Sequence, residues 1–368
     1  MKGARKYRMN SPDQSNCYNG FDLAKFVMAI FVVTLHAHPF SDFSFNLNYA
    51  VTHGVTRMAV PYFFMASGFL LFRKMSFIRL DKMRIRKYLV HIFRLYVLWT
   101  ILYLPVILYT NIYKPHKGML HGVVVVIRNM LMNGSYFHLW FLHALLVSAI
   151  VLAVLLYLRL SSRRIFLILL SFYMIAIVGL RYYGLVDYFF PMGSDGYSVL
   201  QWLKRIFVTP RNGLCFGAVY FFIGAYLSQK ASDLSLPRLK RYIVVFFMLF
   251  MAEVMGGSFC GWTQLNYSHD VYIMLLPLTY CVFLYTKAVR LPDSPVWGYL
   301  RKQSMFIFYI HAWWLVLAGV AFGESKHAFV HLGSLGVYLT ALGLSILTSH
   351  ILIVLSRKEK FSYLKYLS

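Results

Sequence analysis

The sequence predicts an all-α fold, a polytopic membrane bundle of about ten transmembrane helices with both termini in the cytoplasm. Three observations predict it. Of 368 residues, 60% are hydrophobic and only 13% charged, a composition outside the range of soluble domains. Apolar runs of about 20 residues, the length that crosses a bilayer, recur along the chain. Basic residues gather in alternate loops: with the N-terminus inside, 26 of the 37 Lys and Arg fall in cytoplasmic segments, eight in the opposite loops, and Lys25, Arg57 and Arg94 within spans. The net charge of +25 is thus read as retention of cytoplasmic loops beside anionic lipid, and nucleic acid is not an expected partner.

The spans are expected at 21–40, 51–72, 88–109, 137–158, 164–181, 212–229, 242–257, 270–287, 303–321 and 332–356. They form one membrane domain over 21–356, between a cytoplasmic N-terminal segment, 1–20, and a cytoplasmic tail, 357–368. The N-terminal segment is polar and basic and lacks a signal-peptide core, so the first span is expected to stay as an anchor. Cys17, Cys215, Cys260 and Cys281 are scattered without C-x-x-C spacing, which indicates neither a disulfide framework nor a metal motif.

The first span, FDLAKFVMAIFVVTLHAHPF, carries charge where charge is expensive. Lys25 and His36 are eleven residues apart, so they lie about 20° off one helical face and about 16 Å apart along the axis. Ionisable groups inside a membrane usually face a bundle interior or cavity. Lys25 also reads as a snorkelling anchor, and His36 as a satisfied core histidine. Asp22 suits either the N-cap of this helix or a partner for Lys25 three residues on.

In the second span Arg57 and Pro61 share a face with Phe64 and Gly68. Arg57 either snorkels to the headgroups or faces a site. The run RKMSFIRLDKMRIRKYLVHIFR, with Arg84, Arg86 and Arg94, is the most basic in the chain. It reads as a positive-inside loop and, compatibly, as a landing surface for a phosphorylated cytosolic ligand. The segment 110–136 contains an apolar stretch, 118–132, too short to span and suited to a re-entrant or interfacial helix. The fourth span opens with His138 and Trp140, Arg211 precedes the sixth, Glu253 lies within the seventh and His311 near the middle of the ninth. Each has a structural alternative as an interfacial or hydrogen-bonding group.

By the same topology Lys25 and the basic run fall near the cytoplasm, and His36, Arg57, His138, Trp140 and Arg211 towards the outside. That suggests a polar path with a cationic inner mouth and an imidazole-rich outer chamber, suited to a phosphate-bearing ligand inside and a polar acceptor outside. His36 and His38 point in different directions, and neither H-E-x-x-H nor G-x-S-x-G occurs. No metal is required, and a general-base histidine is the most economical chemistry.

These residues resemble the membrane-bound acyltransferase-3 family, many of whose members O-acetylate bacterial surface glycans. Its first-helix hallmark, an Asp, a basic residue, ten residues and a His, is matched by Asp22, Lys25 and His36, with Lys where Arg is usual. Lysine keeps the charge and loses the planar fork that grips phosphate. VPYFFMASG at 60–68 with Arg57 upstream, the basic segment ending at Arg94, HLWFL at 138–142, RNG at 211–213 with FFIG at 221–224, and YIH at 309–311 match in order along nearly the whole chain. The resemblance implies an acyl donor, usually acetyl-CoA, from the cytoplasm, with no permanently bound cofactor. It implies a hydroxyl acceptor on a surface glycan or lipid-linked sugar outside, in the plasma (inner) membrane. His36 is the implied catalytic residue, as base or transient acyl carrier. Lys25 and Arg57, with Asp22, Arg84, Arg86 and Arg94, belong to the donor or polar path, and His138, Trp140, Arg211, Glu253 and His311 are acceptor-side candidates. Some relatives add a hydrolase-like or racemase domain, which here is expected to be a separate protein. Two other classes stay open: a multipass transporter, which internal repeats would favour, and a membrane sensor, which would not need Lys25 and His36 on one face.

Overall fold

The computed structural model describes residues 18–113, 118–182, 188–189, 193–198, 209–230, 234–259, 270–323 and 330–367, and within them the fold is all-helical. Residues 1–17 with Cys17, Cys260, and most of the segment 183–208 lie outside the described residues. The helices are α1 (Asn19–Ala37), α2 (Phe45–Phe72), α3 (Lys82–Leu108), α4 (Met119–Met132), α5 (Trp140–Tyr157), α6 (Ser162–Leu180), α7 (Gly213–Gln229), α8 (Leu236–Phe259), α9 (Leu275–Ala288), α10 (Val296–Phe322) and α11 (Gly333–Leu355). Every expected span is occupied by a helix, and seven of these are long and apolar enough to cross a membrane. The stretch at 118–132 forms α4, as its length suggests.

Helix α3 exposes an apolar face. Val90, Phe93, Val97, Ile101 and Leu104 lie along one side at helical spacing and are all exposed, an apolar stripe that water would not tolerate and acyl chains would. The opposite side, with Ile92, Leu95, Tyr96, Trp99 and Tyr103, is buried.

Among the boundaries that differ from the sequence expectation, three have a local reason. The first helix ends at Ala37 rather than 40, because His38 takes the left-handed conformation (φ 51°, ψ 56°) and returns its N–H to the Thr34 carbonyl before Pro39. The third begins at Lys82 rather than 88, because the Asp81 side chain accepts the Arg84 N–H at 3.0 Å and caps the basic run into helix. The second begins at Phe45 and is irregular: a π turn at Ala50–Gly54 and a 3-10 turn at Val55–Met58 precede the α-helical part, Ala59–Phe72. Pro61 offers no N–H to the Arg57 carbonyl four residues earlier and its ring crowds it, so the ladder breaks just where His53 and Arg57 sit.

Helix α1 is central: it contacts α2, α9, α10 and α11. The tightest helix pair is α2 with α7. Gly68 lies against the Phe221 carbonyl and Gly224 against the Met65 carbonyl, and a Cβ on either would collide with the facing main chain. Small residues at such crossings let membrane helices approach closely.

Candidate active site

One cavity of about 210 Å³ sits where α1 ends, walled by Leu35, His36, His38, His53, Arg57, Val60, Pro61, Trp140, Arg211, Phe216 and Asp270. Three helix ends build it. The left-handed turn at His38 places His36 in the last turn of α1. The broken ladder of α2 presents His53 and Arg57. The Asn212 side chain caps the start of α7, accepting from Leu214 N at 3.0 Å and Cys215 N at 2.8 Å, and this sets the adjacent Arg211.

The charges in this cavity are arranged around Asp270, which is buried. Arg57 Nη1 donates to one carboxylate oxygen and Arg211 Nη1 to the other. Arg57 Nη2 lies 2.9 Å from His53 Nδ1. Arg211 stands 4.8 Å over the Trp140 ring, a cation–π contact. His36 makes ring contacts: Phe137 edge-on at 4.7 Å and His311 stacked at 5.6 Å.

The other end of α1 holds a second charge cluster. Lys25 Nζ is 3.0 Å from Asp22 Oδ1, and Arg301 forks onto Asp22 through Nε and Nη2 at 2.8–3.1 Å. Asp22 lies inside the helix, which begins at Asn19 after Tyr18, so the N-cap reading of Asp22 is corrected in favour of the pairing with Lys25. Both residues are buried. Lys25 lines a narrow cavity of about 160 Å³ whose walls are mostly apolar, among them Phe63, Leu70, Phe141, Leu142 and Phe308. Leu70 also borders a wider, open cavity of about 600 Å³ lined by Arg73, Lys74, Asp81, Arg84, Lys87 and Tyr88. The basic mouth, the apolar passage and the His36 chamber thus follow one another along α2, at Leu70 and Leu71, at Phe63 to Leu70, and at Arg57 to Pro61.

The remaining sequence candidates divide. Trp140, Arg57 and Arg211 share the His36 chamber. His311 is fully buried behind His36, with Nδ1 2.8 Å from the Phe308 carbonyl and 3.1 Å from that of Ile307, which fixes that nitrogen as the N–H and leaves Nε2 without a hydrogen bond. His138 lies 5.1 Å from His311, ring to ring, also buried. Arg84 lines the basic mouth and donates to the Lys74 carbonyl at 2.9 Å. Arg86 belongs to a different, largely apolar groove, and Arg94 is exposed on α3. Glu253 is away from the chamber wall: its carboxylate accepts from Ile273 N and Met274 N, both at 2.8 Å, and from the Tyr182 hydroxyl at 3.0 Å, so it satisfies main-chain donors at the approach to α9.

Three charged residues that organise these clusters escaped the sequence reading. Asp270 stood only as the first residue of a span, although a lone acid beside an apolar run in a chain with 12 acids and 37 bases is a signal. Arg301 was counted as a loop cation. Arg181, the last residue of the expected span 164–181, is fully buried and donates Nη2 to the carbonyls of Glu253 at 2.7 Å and Val254 at 3.0 Å.

The family model described as "Acyltransferase domain" (acyltransferase-3) matches residues 18–354. Among curated proteins, an amino-acid racemase of Enterococcus faecalis is 26% identical over 73% of this chain and 36% of its own length. A serine/alanine racemase of Enterococcus gallinarum is 24% identical over 89% of this chain and 45% of its own. A second Enterococcus faecalis amino-acid racemase is 23% identical over 94% and 47%. The chain spans less than half the length of each of these relatives. No solved structure matches.

Proposed function

The chain belongs to the acyltransferase-3 family, and on that premise we propose that it transfers an acyl group, acetyl the usual one, from cytosolic acyl-CoA to a hydroxyl of a surface glycan or lipid-linked sugar. In this reading the chain is a multi-pass protein of the plasma (inner) membrane with ten crossings and both termini inside. The observation that carries it is the succession of spaces along α2: a basic mouth, an apolar passage that also touches Lys25, and a chamber containing His36.

Each space suits one part of the reaction. Arg73, Lys74, Arg84 and Lys87 supply the positive charge that CoA phosphates need. The passage, walled by Phe63, Leu70, Phe141, Leu142 and Phe308, takes the thin pantetheine arm and excludes water from the thioester. At its end His36 accepts the proton of the acceptor hydroxyl. The oxygen attacks the thioester carbonyl carbon, the C–S bond breaks, and CoA leaves as the thiolate, which is protonated on release. Arg57, held by Asp270, is placed to stabilise negative charge developing at the reacting centre. The racemase names belong to relatives of which this chain covers less than half. No racemase chemistry is proposed here.

Proteoliposomes test the reading against transport. Labelled acetyl-CoA supplied at the face bearing Arg73–Lys87 should be turned over, and the same donor at the opposite face should not. Label that crosses the bilayer still attached to CoA, or a donor left unconsumed from either face, would put the chain among transporters.

A further inference from the structure

The His36 chamber holds more positive charge than a neutral acceptor needs. One carboxylate, Asp270, faces two guanidinium groups, and the side chains of Arg57, Asp270 and Arg211 are 12%, 8% and 28% exposed. Among the described residues, the two guanidinium groups outnumber the carboxylates lining this cavity of about 210 Å³ by one. The two arginines differ. Arg57 spends Nη1 on Asp270 and Nη2 on His53. Nε is buried without a partner in both, but Arg211 spends only Nη1, and its Nη2 makes no hydrogen bond among the described residues. Its plane is held by the Trp140 ring at 4.8 Å. A planar guanidinium fixed in orientation, partly buried, and with a donor to spare is a receptor for a carboxylate or phosphate, whose oxygens it meets in pairs.

We propose that Arg211, braced by Asp270 and Trp140, binds an anionic group of the acceptor, a carboxylate or a phosphate, and so holds the acceptor's hydroxyl within reach of His36. This rests on the reading of the chamber as the acceptor site. The CoA phosphates do not compete for the position, because the basic mouth that suits them lies towards the other end of α2. The acceptor is accordingly a charged hydroxyl compound, such as a uronic acid or a sugar phosphate. Asp270 sets the strength of the site, since its carboxylate competes with the ligand for the same cations.

Thermal unfolding of the purified full chain in detergent, with glucuronate, glucose 6-phosphate and glucose as probes, tests this. The wild type should be stabilised by glucuronate, glucose 6-phosphate or both at millimolar concentration and not by glucose; the anion that acts identifies carboxylate or phosphate. Arg211→Gln should lose the shift, Arg211→Lys should keep a weaker one, and Asp270→Asn should lower the concentration needed several-fold. A shift by glucose equal to that of the anions, or an anion shift that survives Arg211→Gln, would overturn the proposal. Stabilisation by acetyl-CoA, measured on the same samples, reports the donor end: its absence in the wild type would count against the acyl-CoA reading and leave the anion site standing. Its presence in Arg211→Gln shows that this variant is folded.

Discussion

Individual residues in this bundle are placed by charge pairing. Asp22 holds two cations, the buried Lys25 and the exposed Arg301. Asp22→Ala strands Lys25 in an apolar passage, and removing one partner of a buried pair costs about 3–5 kcal/mol. The expected result is a marked fall in the thermal midpoint of the solubilised protein, while Asp22→Asn, which keeps an acceptor oxygen, falls less. A second residue gives a pH dependence. Asp42, in the turn after α1, accepts from the Ser334 main-chain N–H and from the hydroxyl of Ser41. The Ser334 hydrogen bond, the largest influence, holds its carboxyl below the usual carboxylate range. A depressed folded-state value contributes stability above the ordinary range that is lost as pH falls through the lowered value. Protection against hydrogen exchange over 38–48, taken relative to the intrinsic rate at each pH, should therefore be high at neutral pH and fall at pH values acid enough to protonate Asp42, and Asp42→Asn should abolish that acid-side change. Of the two clusters, the Asp22–Lys25 pair was legible from a spacing of three on one helix. The partners Arg301 and Asp270 were not, because they come from elements 279 and 213 residues away from the groups they meet, and a single sequence carries no signal of such pairings.

At the scale of elements, the apolar runs fixed the helices and their order, because membrane length is a property each run carries by itself. Helix ends were less legible. They depend on backbone events such as the left-handed His38 and the Asp81 cap, which hydropathy does not register. The broken ladder at Ala50–Met58 is a case between: Pro61 announced a disturbance, and only the packing of α2 decides that it takes the form of a π turn followed by a 3-10 turn. The α2–α7 crossing makes a prediction of its own. Gly224→Val inserts a branched side chain against the Met65 main chain, which cannot yield as a side-chain tip would. The two helices must separate, with an expected loss of about 1–3 kcal/mol or more and displacement of Arg211, which precedes α7. Both the thermal midpoint and acyl transfer should fall. The same substitution at Gly256, where nothing among the described residues lies within 4 Å of a Cβ, is the matched control and should lower the midpoint less.

For the whole molecule, the proposed donor and acceptor sites lie towards opposite ends of α2, with the apolar cavity beside Lys25 between them. The charge of the donor mouth is exposed, so it should be screened by salt. Raising ionic strength, or replacing Lys74 and Arg84 by Gln, should raise the KM for acyl-CoA several-fold with a smaller effect on kcat; an unchanged KM would move the donor elsewhere. The measurement closest to the central claim is turnover of labelled acetyl-CoA by the purified chain in liposomes, wild type beside His36→Ala. The account predicts that the wild type consumes the donor, or retains its label, and that His36→Ala does neither while still binding acetyl-CoA and inserting normally. Equal turnover by the two proteins would contradict it.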